Sequence, residues 1–78
     1  MRIGSKLCMK DHEHYGESPP WVSKSGAQAY ARRKWENFTT WEYGSAWGKL
    51  KNAAGRRDEC RHDGSRWICS ITARPCRY

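Results

Sequence analysis

Residues 25–44 read SGAQAYARRKWENFTTWEYG, and this segment carries the strongest secondary-structure signal in the chain. Its first four residues fit the S-x-x-Q capping box, in which the Ser25 hydroxyl accepts a hydrogen bond from the Gln28 amide and the glutamine reaches back. Gly44, at the other end, suits the left-handed conformation that closes many helices. The segment therefore predicts a helix over residues 26–43, about 27 Å long.

The apolar residues of this helix fall on one broad face when they are placed at 100° intervals. These residues are Ala27, Tyr30, Ala31, Trp35, Phe38 and Trp41. Arg32 and Arg33 point the opposite way, whereas Lys34 intrudes on the apolar face and must extend its charge to water. We therefore expect the aromatic face to lie on another element.

The segment that follows, residues 45–55, repeats the pattern on a smaller scale. Ser45 can cap a helix and Gly55 can end it. Trp47, Leu50 and Ala54 share one helical face at i, i+3 and i+7. The segment predicts a short second helix.

A hairpin is predicted near the C-terminus, because residues 57–62 and 66–73 flank the turn signal DGS at 63–65. A turn at Gly64 and Ser65 pairs Cys60 directly with Cys69, whereas a turn at Asp63 and Gly64 makes the two sulfurs diagonal neighbours. Both registers stay open, and both place the same side chains on one strand face. That face, which we expect to meet the helix, carries Cys60, His62, Trp67, Cys69 and Ile71.

The N-terminal residues complete the predicted fold. Weak alternation predicts a strand over residues 6–14, and residues 16–20 read as a loop that ends in two prolines. We expect an α+β fold: a two- or three-stranded antiparallel sheet, made of the C-terminal hairpin and this strand, packed on one long helix plus a short one. Residues 1–23 form a partly flexible strand and loop, and residues 24–78 form a single basic domain.

The charge of the chain is uneven. The 78 residues contain 15 Lys and Arg against 8 Asp and Glu, for a net charge of +7, and all of the excess lies after residue 23. A basic, aromatic-rich segment is typical of proteins that meet nucleic acid or an acidic protein surface, although +7 can also serve solubility alone. The predicted basic stripe consists of Arg32, Arg33, Lys49, Lys51, Arg56, Arg57, Arg61 and Arg66.

Four cysteines allow three disulfide pairings, and none of their spacings is C-x-x-C, so a zinc ribbon is not predicted. The candidates are Cys8, Cys60, Cys69 and Cys76. Two bonds would place Cys8 against Cys76 and favour an oxidising compartment. Because no stretch is apolar enough to span a bilayer or to act as a signal peptide, we expect a cytoplasmic location, with export as the alternative if disulfides form.

The most site-like string is DHEH at residues 11–14. On a strand, His12, His14 and Cys8 point to the same side, and imidazole with thiolate is a suitable set for Zn²⁺ or Cu²⁺. Because no fourth ligand is evident, a surface strand with exposed histidines is the favoured interpretation. We therefore expect neither a bound metal nor a cofactor.

Catalytic chemistry finds less support. Cys60 and His62 lie on one strand face, but they face the predicted core and no third group orients them. The chain contains no phosphate-binding glycine loop and no G-x-S-x-G motif. We expect no enzymatic activity.

The spacing of tryptophan, tyrosine and cysteine over residues 25–77 resembles a group of short bacterial proteins. These share a Trp-containing helix, a Tyr-Gly then Trp step, and a cysteine-containing end that closes on Pro-Cys. The matching residues here are Trp35, Tyr43, Gly44, Trp47, Ala53, Cys60, Trp67, Ile68, Cys69, Ala73, Arg74, Pro75 and Cys76. The resemblance implies one small domain, and no established activity, substrate or cofactor comes with it.

The function expected from the sequence is that of a small non-enzymatic binding module that meets nucleic acid through the basic stripe. The alternative is a disulfide-stabilised protein-interaction module that is exported.

Overall fold

The computed structural model describes all of residues 1–78 and has one long helix, one 3-10 turn and two three-stranded antiparallel sheets. The elements are β1 (Arg2–Ile3), β2 (Lys6–Cys8), β3 (His14–Glu17), α1 (Lys24–Tyr43), the 3-10 turn (Leu50–Asn52), β4 (Ala54–Asp63), β5 (Arg66–Arg74) and β6 (Cys76–Arg77). The first sheet has the order β1-β2-β6 and the second the order β3-β5-β4. The predicted α+β class is confirmed.

The core lies between α1 and the second sheet. Its helical side is the narrow stripe Ala27, Ala31, Trp35 and Thr39, each fully buried. Its sheet side is formed by alternate residues of β5, Cys69, Ile71 and Ala73, and Leu50 of the 3-10 turn joins the same cluster. A row with a spacing of four residues on the helix thus packs on a row with a spacing of two on the strand.

The helix buries less than its apolar pattern predicts. Phe38 remains 42% exposed and Trp41 remains 81% exposed, so their placement in the core is wrong. The three-stranded sheet covers only one line of the helix surface, and the polar Thr39 takes the buried position. Tyr30 is half-buried, with its ring 5.5 Å from that of Trp21.

The helix begins earlier than expected. Ser23, which has the extended backbone that a cap requires, accepts a hydrogen bond from the Gly26 amide at 3.1 Å. The predicted capping box at Ser25 is therefore wrong. The predicted end of the helix is confirmed, because α1 ends at Tyr43. Gly44 follows with a positive φ of 97° but with ψ of 165°, outside the left-handed helical conformation expected for it.

A 3-10 turn replaces the predicted second helix. The connector between α1 and β4, residues 44–53, lies very close to the helix. A Cβ on Gly48 would lie 3.0 Å from the carbonyl oxygen of Glu36. The Leu50 amide donates to the Glu36 carboxylate at 2.9 Å, so the connector bonds to α1 as well as within its own short turn. Ala54, expected on the helix, already begins β4.

The hairpin is confirmed, and its register is the one with Gly64 and Ser65 in the turn. Gly64 has φ of 64°, as the first central residue of a type II′ turn requires. Cys60 lies directly opposite Cys69, and the two form a disulfide. His62, although on the predicted core face, is exposed.

The single N-terminal strand predicted over residues 6–14 is wrong. The chain turns at Lys10 and Asp11, where Asp11 has φ of 55°, and the two halves enter different sheets. β2 pairs with β6 and places Cys8 opposite Cys76, with which it forms the second disulfide. β3 pairs with β5, so residues 1–23 supply strands to both sheets.

Candidate functional site

The eight residues of the predicted basic stripe form two groups on opposite layers of the fold. The helix-side group consists of Arg32, Arg33, Lys49 and Lys51, and the hairpin group consists of Arg56, Arg57, Arg61 and Arg66. Arg57, Arg61 and Arg66 alternate with the helix-facing Cys60 and Cys69, so they point away from α1. The helix and the sheet therefore separate these three arginines from the helix-side group, whereas Arg56 bonds to Asp58, which shares the face of Cys60.

Glu36 organises the helix-side group. One carboxylate oxygen lies 3.7 Å from Arg32 Nε, and the other accepts the Leu50 amide. Because Leu50 stands between Lys49 and Lys51, this bond holds both lysines beside the helix. The cations of Arg33, Lys49 and Lys51 have no acidic partner.

Acidic residues neutralise most of the hairpin group. The Arg56 guanidinium donates to both Asp58 oxygens, at 2.6 and 2.8 Å. This bonding raises the pKa of Arg56 above its ordinary value, against a smaller effect of burial. The other two ion pairs join Arg57 to Glu13 at 3.2 Å and Arg61 to Glu17 at 3.3 Å, and only Arg66 is unpaired. Exposed pairs of this kind add little stability, but those of Arg57 and Arg61 cancel charge on the face of the sheet that points away from α1.

An exposed aromatic side chain accompanies the helix-side group. Arg33, Asn37 and Trp41 succeed one another at intervals of four residues and therefore lie along one line of the helix. All three are exposed, Trp41 by 81%. The solvent side of α1 thus combines cations with a free indole ring.

The metal candidates predicted from the sequence are placed differently from expectation. Cys8 is bonded to Cys76, so it offers no thiolate and is not a ligand. His14 is only 2% exposed, and the expectation of surface histidines is wrong for it. The Nε2 atoms of His12 and His14 lie 3.0 Å apart.

Sequence reasoning missed a third residue of this cluster. Glu42 extends one carboxylate oxygen to within 3.9 Å of His12 Nε2 and 4.0 Å of His14 Nε2. Its helical position was a usable signal: Glu42 follows Trp35 by seven residues and Thr39 by three, which places it on the sheet-facing side.

Hydrogen bonds and two aromatic rings fix the position of His14. Its Nδ1 lies 2.7 Å from Thr39 Oγ1, its carbonyl accepts from Trp35 Nε1 at 3.0 Å, and its ring lies between Phe38 at 4.7 Å and Tyr43 at 5.2 Å. Burial lowers the pKa of His14, opposed by the Glu42 charge and assisted by His12. Desolvation raises the pKa of Tyr43, and a hydrogen bond to Glu42 and the charge of that carboxylate raise it further.

The cysteine and histidine pair weighed for nucleophilic chemistry lacks its nucleophile, because Cys60 is oxidised to the disulfide with Cys69. All four cysteines are disulfide-bonded. No helix combines the length and the apolar character needed to cross a bilayer. Comparison of the chain with protein-family models, with curated proteins and with solved structures finds no match.

Proposed function

We propose that this protein is a small non-enzymatic binding module that contacts the phosphates of nucleic acid through its helix-side group. The observation that carries the proposal is the docking of the connector on α1, which gathers Arg32, Arg33, Lys49 and Lys51 and leaves three of them without an acid. Cations arranged in this way bind phosphate with strong salt dependence and little sequence preference.

The free indole of Trp41 favours single strands over duplex. An exposed ring beside a row of cations offers a stacking surface to an unpaired base, whereas a base inside a duplex is already stacked. The proposed ligand is therefore a single-stranded DNA or RNA segment that lies along the solvent side of α1.

Fluorescence anisotropy with a labelled single-stranded oligonucleotide and its duplex tests this. We expect saturable binding to the single strand at about 50 mM salt, which weakens steeply when the salt is raised to about 200 mM. Undetectable affinity at the lower salt contradicts the proposal.

Two matched variants locate the interface. One replaces Arg32, Arg33, Lys49 and Lys51 by glutamine, and the other replaces Arg56, Arg57, Arg61 and Arg66. Both lose four positive charges, from different parts of the fold. The hairpin variant also breaks three exposed ion pairs and the helix-side variant one, which should change stability little. We expect the helix-side variant to lose most of the affinity and to reduce the salt slope by about 0.7 for each phosphate that it no longer neutralises. Equal losses in the two variants would show that net charge alone is responsible.

The two disulfides favour a second candidate, a protein-interaction module in an oxidising compartment. Alkylation of the protein at the moment its native cells are lysed tests the compartment, since four alkylated cysteines would contradict this alternative.

Recovery of co-purifying molecules before and after nuclease treatment separates the two functions. A partner lost with the nuclease supports nucleic-acid binding, and a stoichiometric protein that remains bound supports the alternative.

A further inference from the structure

We propose that His12, His14 and Glu42 form a binding site for a divalent transition-metal ion, with Zn²⁺ as the ion that best fits the three ligand atoms. The site joins the loop before β3, the first residue of β3 and the last turn of α1. The two Nε2 atoms and one carboxylate oxygen all lie within 4.8 Å of one another. The site is independent of the helix-side group and of the proposed nucleic-acid function.

The distances between the ligand atoms match the size of the ion. The triangle formed by the two Nε2 atoms and Glu42 Oε1 has sides of 3.0, 3.9 and 4.0 Å. The point equidistant from its corners lies about 2.1 Å from each, which is the length of a Zn–N or Zn–O bond. Tetrahedral coordination at this bond length needs ligand atoms about 3.4 Å apart, so the carboxylate must move in by about half an ångström and the two nitrogens must separate by a few tenths. This shift lifts the ion out of the plane and opens a fourth position.

The hydrogen bonds around His14 turn the correct nitrogen toward the site. The Thr39 hydroxyl donates its only proton to the Trp35 carbonyl at 2.8 Å, so toward His14 Nδ1 it acts as an acceptor. Nδ1 therefore carries the imidazole proton, and in the neutral ring Nε2 presents a lone pair to His12 and Glu42. Fixing the tautomer of a ligating histidine through its other nitrogen is the usual arrangement at metal centres.

The surroundings hold this geometry in advance. Phe38 and Tyr43 flank the His14 ring, with the Tyr43 ring stacked at an interplanar angle of 13°. His12 packs edge-on against the same tyrosine at 5.7 Å. Binding therefore costs little ordering of His14, while the side chains of His12 and Glu42, 45% and 33% exposed, leave the site open to ions from solvent.

A hydrogen bond joins the two histidines, whereas Glu42 lies close to both imidazoles without bonding to either. A bond from His12 Nε2 to His14 Nε2 satisfies the buried ring. The carboxylate, at 3.9 and 4.0 Å from the two nitrogens, is too distant to bond to either. An ion at the centre would contact all three groups at once, and two imidazoles with one carboxylate suit Zn²⁺, Cu²⁺ or Ni²⁺ rather than Mg²⁺ or Ca²⁺.

Isothermal titration of the tag-free, disulfide-bonded chain with ZnCl₂ tests the proposal. We expect one ion per chain with micromolar affinity or better. The exposed positions His12→Ala and Glu42→Gln should each weaken binding at least about tenfold without loss of the fold, which circular dichroism checks. His62→Ala is the matched control, since it removes a histidine that lies outside the cluster and packs on Trp67, and it should bind Zn²⁺ as the parent does.

Three results of the zinc titration would overturn the site. These are the absence of saturation below about 100 µM Zn²⁺, a loss in His62→Ala as large as that in His12→Ala, and unchanged affinity in a folded Glu42→Gln. A second probe, Co²⁺, separates coordination from surface adsorption. Visible absorption bands with the intensity of a four- or five-coordinate ion are expected in the parent, and the weak bands of hexaaqua Co²⁺ would contradict the proposal.

Discussion

Gly16 of β3 lies directly against the backbone of Trp35 in α1. A Cβ at Gly16 would stand 2.6 Å from the Trp35 amide nitrogen and 2.7 Å from the Ala31 carbonyl oxygen. Strand and helix therefore approach backbone to backbone, which only glycine permits. This approach also places His14, two residues before Gly16 on the same strand face, against Thr39, one turn beyond Trp35.

Gly16→Ala should lower the free energy of unfolding by about 1–3 kcal/mol, because the neighbours of the new methyl group are backbone atoms that cannot move aside. Urea denaturation measures this change in the free energy of unfolding. Gly26→Ala is the contrast: its new methyl group meets side-chain atoms only, those of the exposed Trp21 and the Ser23 hydroxyl at 2.8 Å, and alanine favours the helix, so it should cost less stability than Gly16→Ala. A Gly16→Ala variant as stable as the parent would show that β3 can retreat from α1.

The helix and the hairpin could be predicted because their signals are local. The termination at Gly44 and the turn around Gly64 depend on residues adjacent in sequence. The N-terminal strands could not be predicted in the same way, because β2 and β3 pair with strands far away along the chain, near its C-terminal end. The break at Asp11, a non-glycine residue with positive φ, also leaves no strong signal in the sequence.

The sequence draws attention to two residues of the metal-binding cluster, but it does not show which third residue joins them. His12 and His14 stand out in the sequence, but Cys8, their apparent neighbour, is on a strand of the other sheet and bonds to Cys76. The third member of the cluster is instead Glu42 of α1, and its position beside the histidines depends on how the helix crosses β3. The basic residues likewise divide between two layers, which composition and charge counting cannot reveal.

The disulfide between Cys8 and Cys76 should stabilise the fold more than the disulfide between Cys60 and Cys69. The first closes a separation of 68 residues and the second a separation of 9. In the chain-entropy account these amount to about 4 and about 2.5 kcal/mol. Double alanine variants compared by urea denaturation measure the difference, and the reverse order would show that strain or residual structure outweighs loop length.

Trp41→Ala should separate binding from stability. The side chain is 81% exposed, so the free energy of unfolding should change by no more than about 0.5 kcal/mol. If Trp41 stacks on a base, affinity for single-stranded oligonucleotide should fall by about 1–3 kcal/mol. Trp35→Phe is the opposite case, since it removes the buried bonds to the His14 and Ala73 carbonyls and should destabilise the fold. Unchanged affinity in Trp41→Ala would remove the indole from the proposed interface.

Zn²⁺ should raise the thermal midpoint of the parent chain. At a free Zn²⁺ concentration about 100 times the dissociation constant, binding to the folded state alone adds about 2.7 kcal/mol of stability. EDTA should reverse the shift in the thermal midpoint. His62→Ala should show the same shift and His12→Ala should show none. A shift that persists in His12→Ala would mean that the ion stabilises the protein elsewhere.

Thr39→Val should weaken Zn²⁺ binding about 10- to 100-fold although Thr39 does not touch the ion, because its hydroxyl fixes the His14 tautomer. The substitution also leaves the His14 Nδ1 proton without an acceptor, at a cost of about 1–3 kcal/mol in stability. Thr39→Ser keeps the hydroxyl and should retain the affinity, which separates tautomer control from packing. Long-range proton–nitrogen NMR spectra of the imidazoles provide the direct readout. The parent and the serine variant should show His14 protonated at Nδ1, and the valine variant a mixture of tautomers. Equal affinities for the valine and serine variants would show that Thr39 only packs.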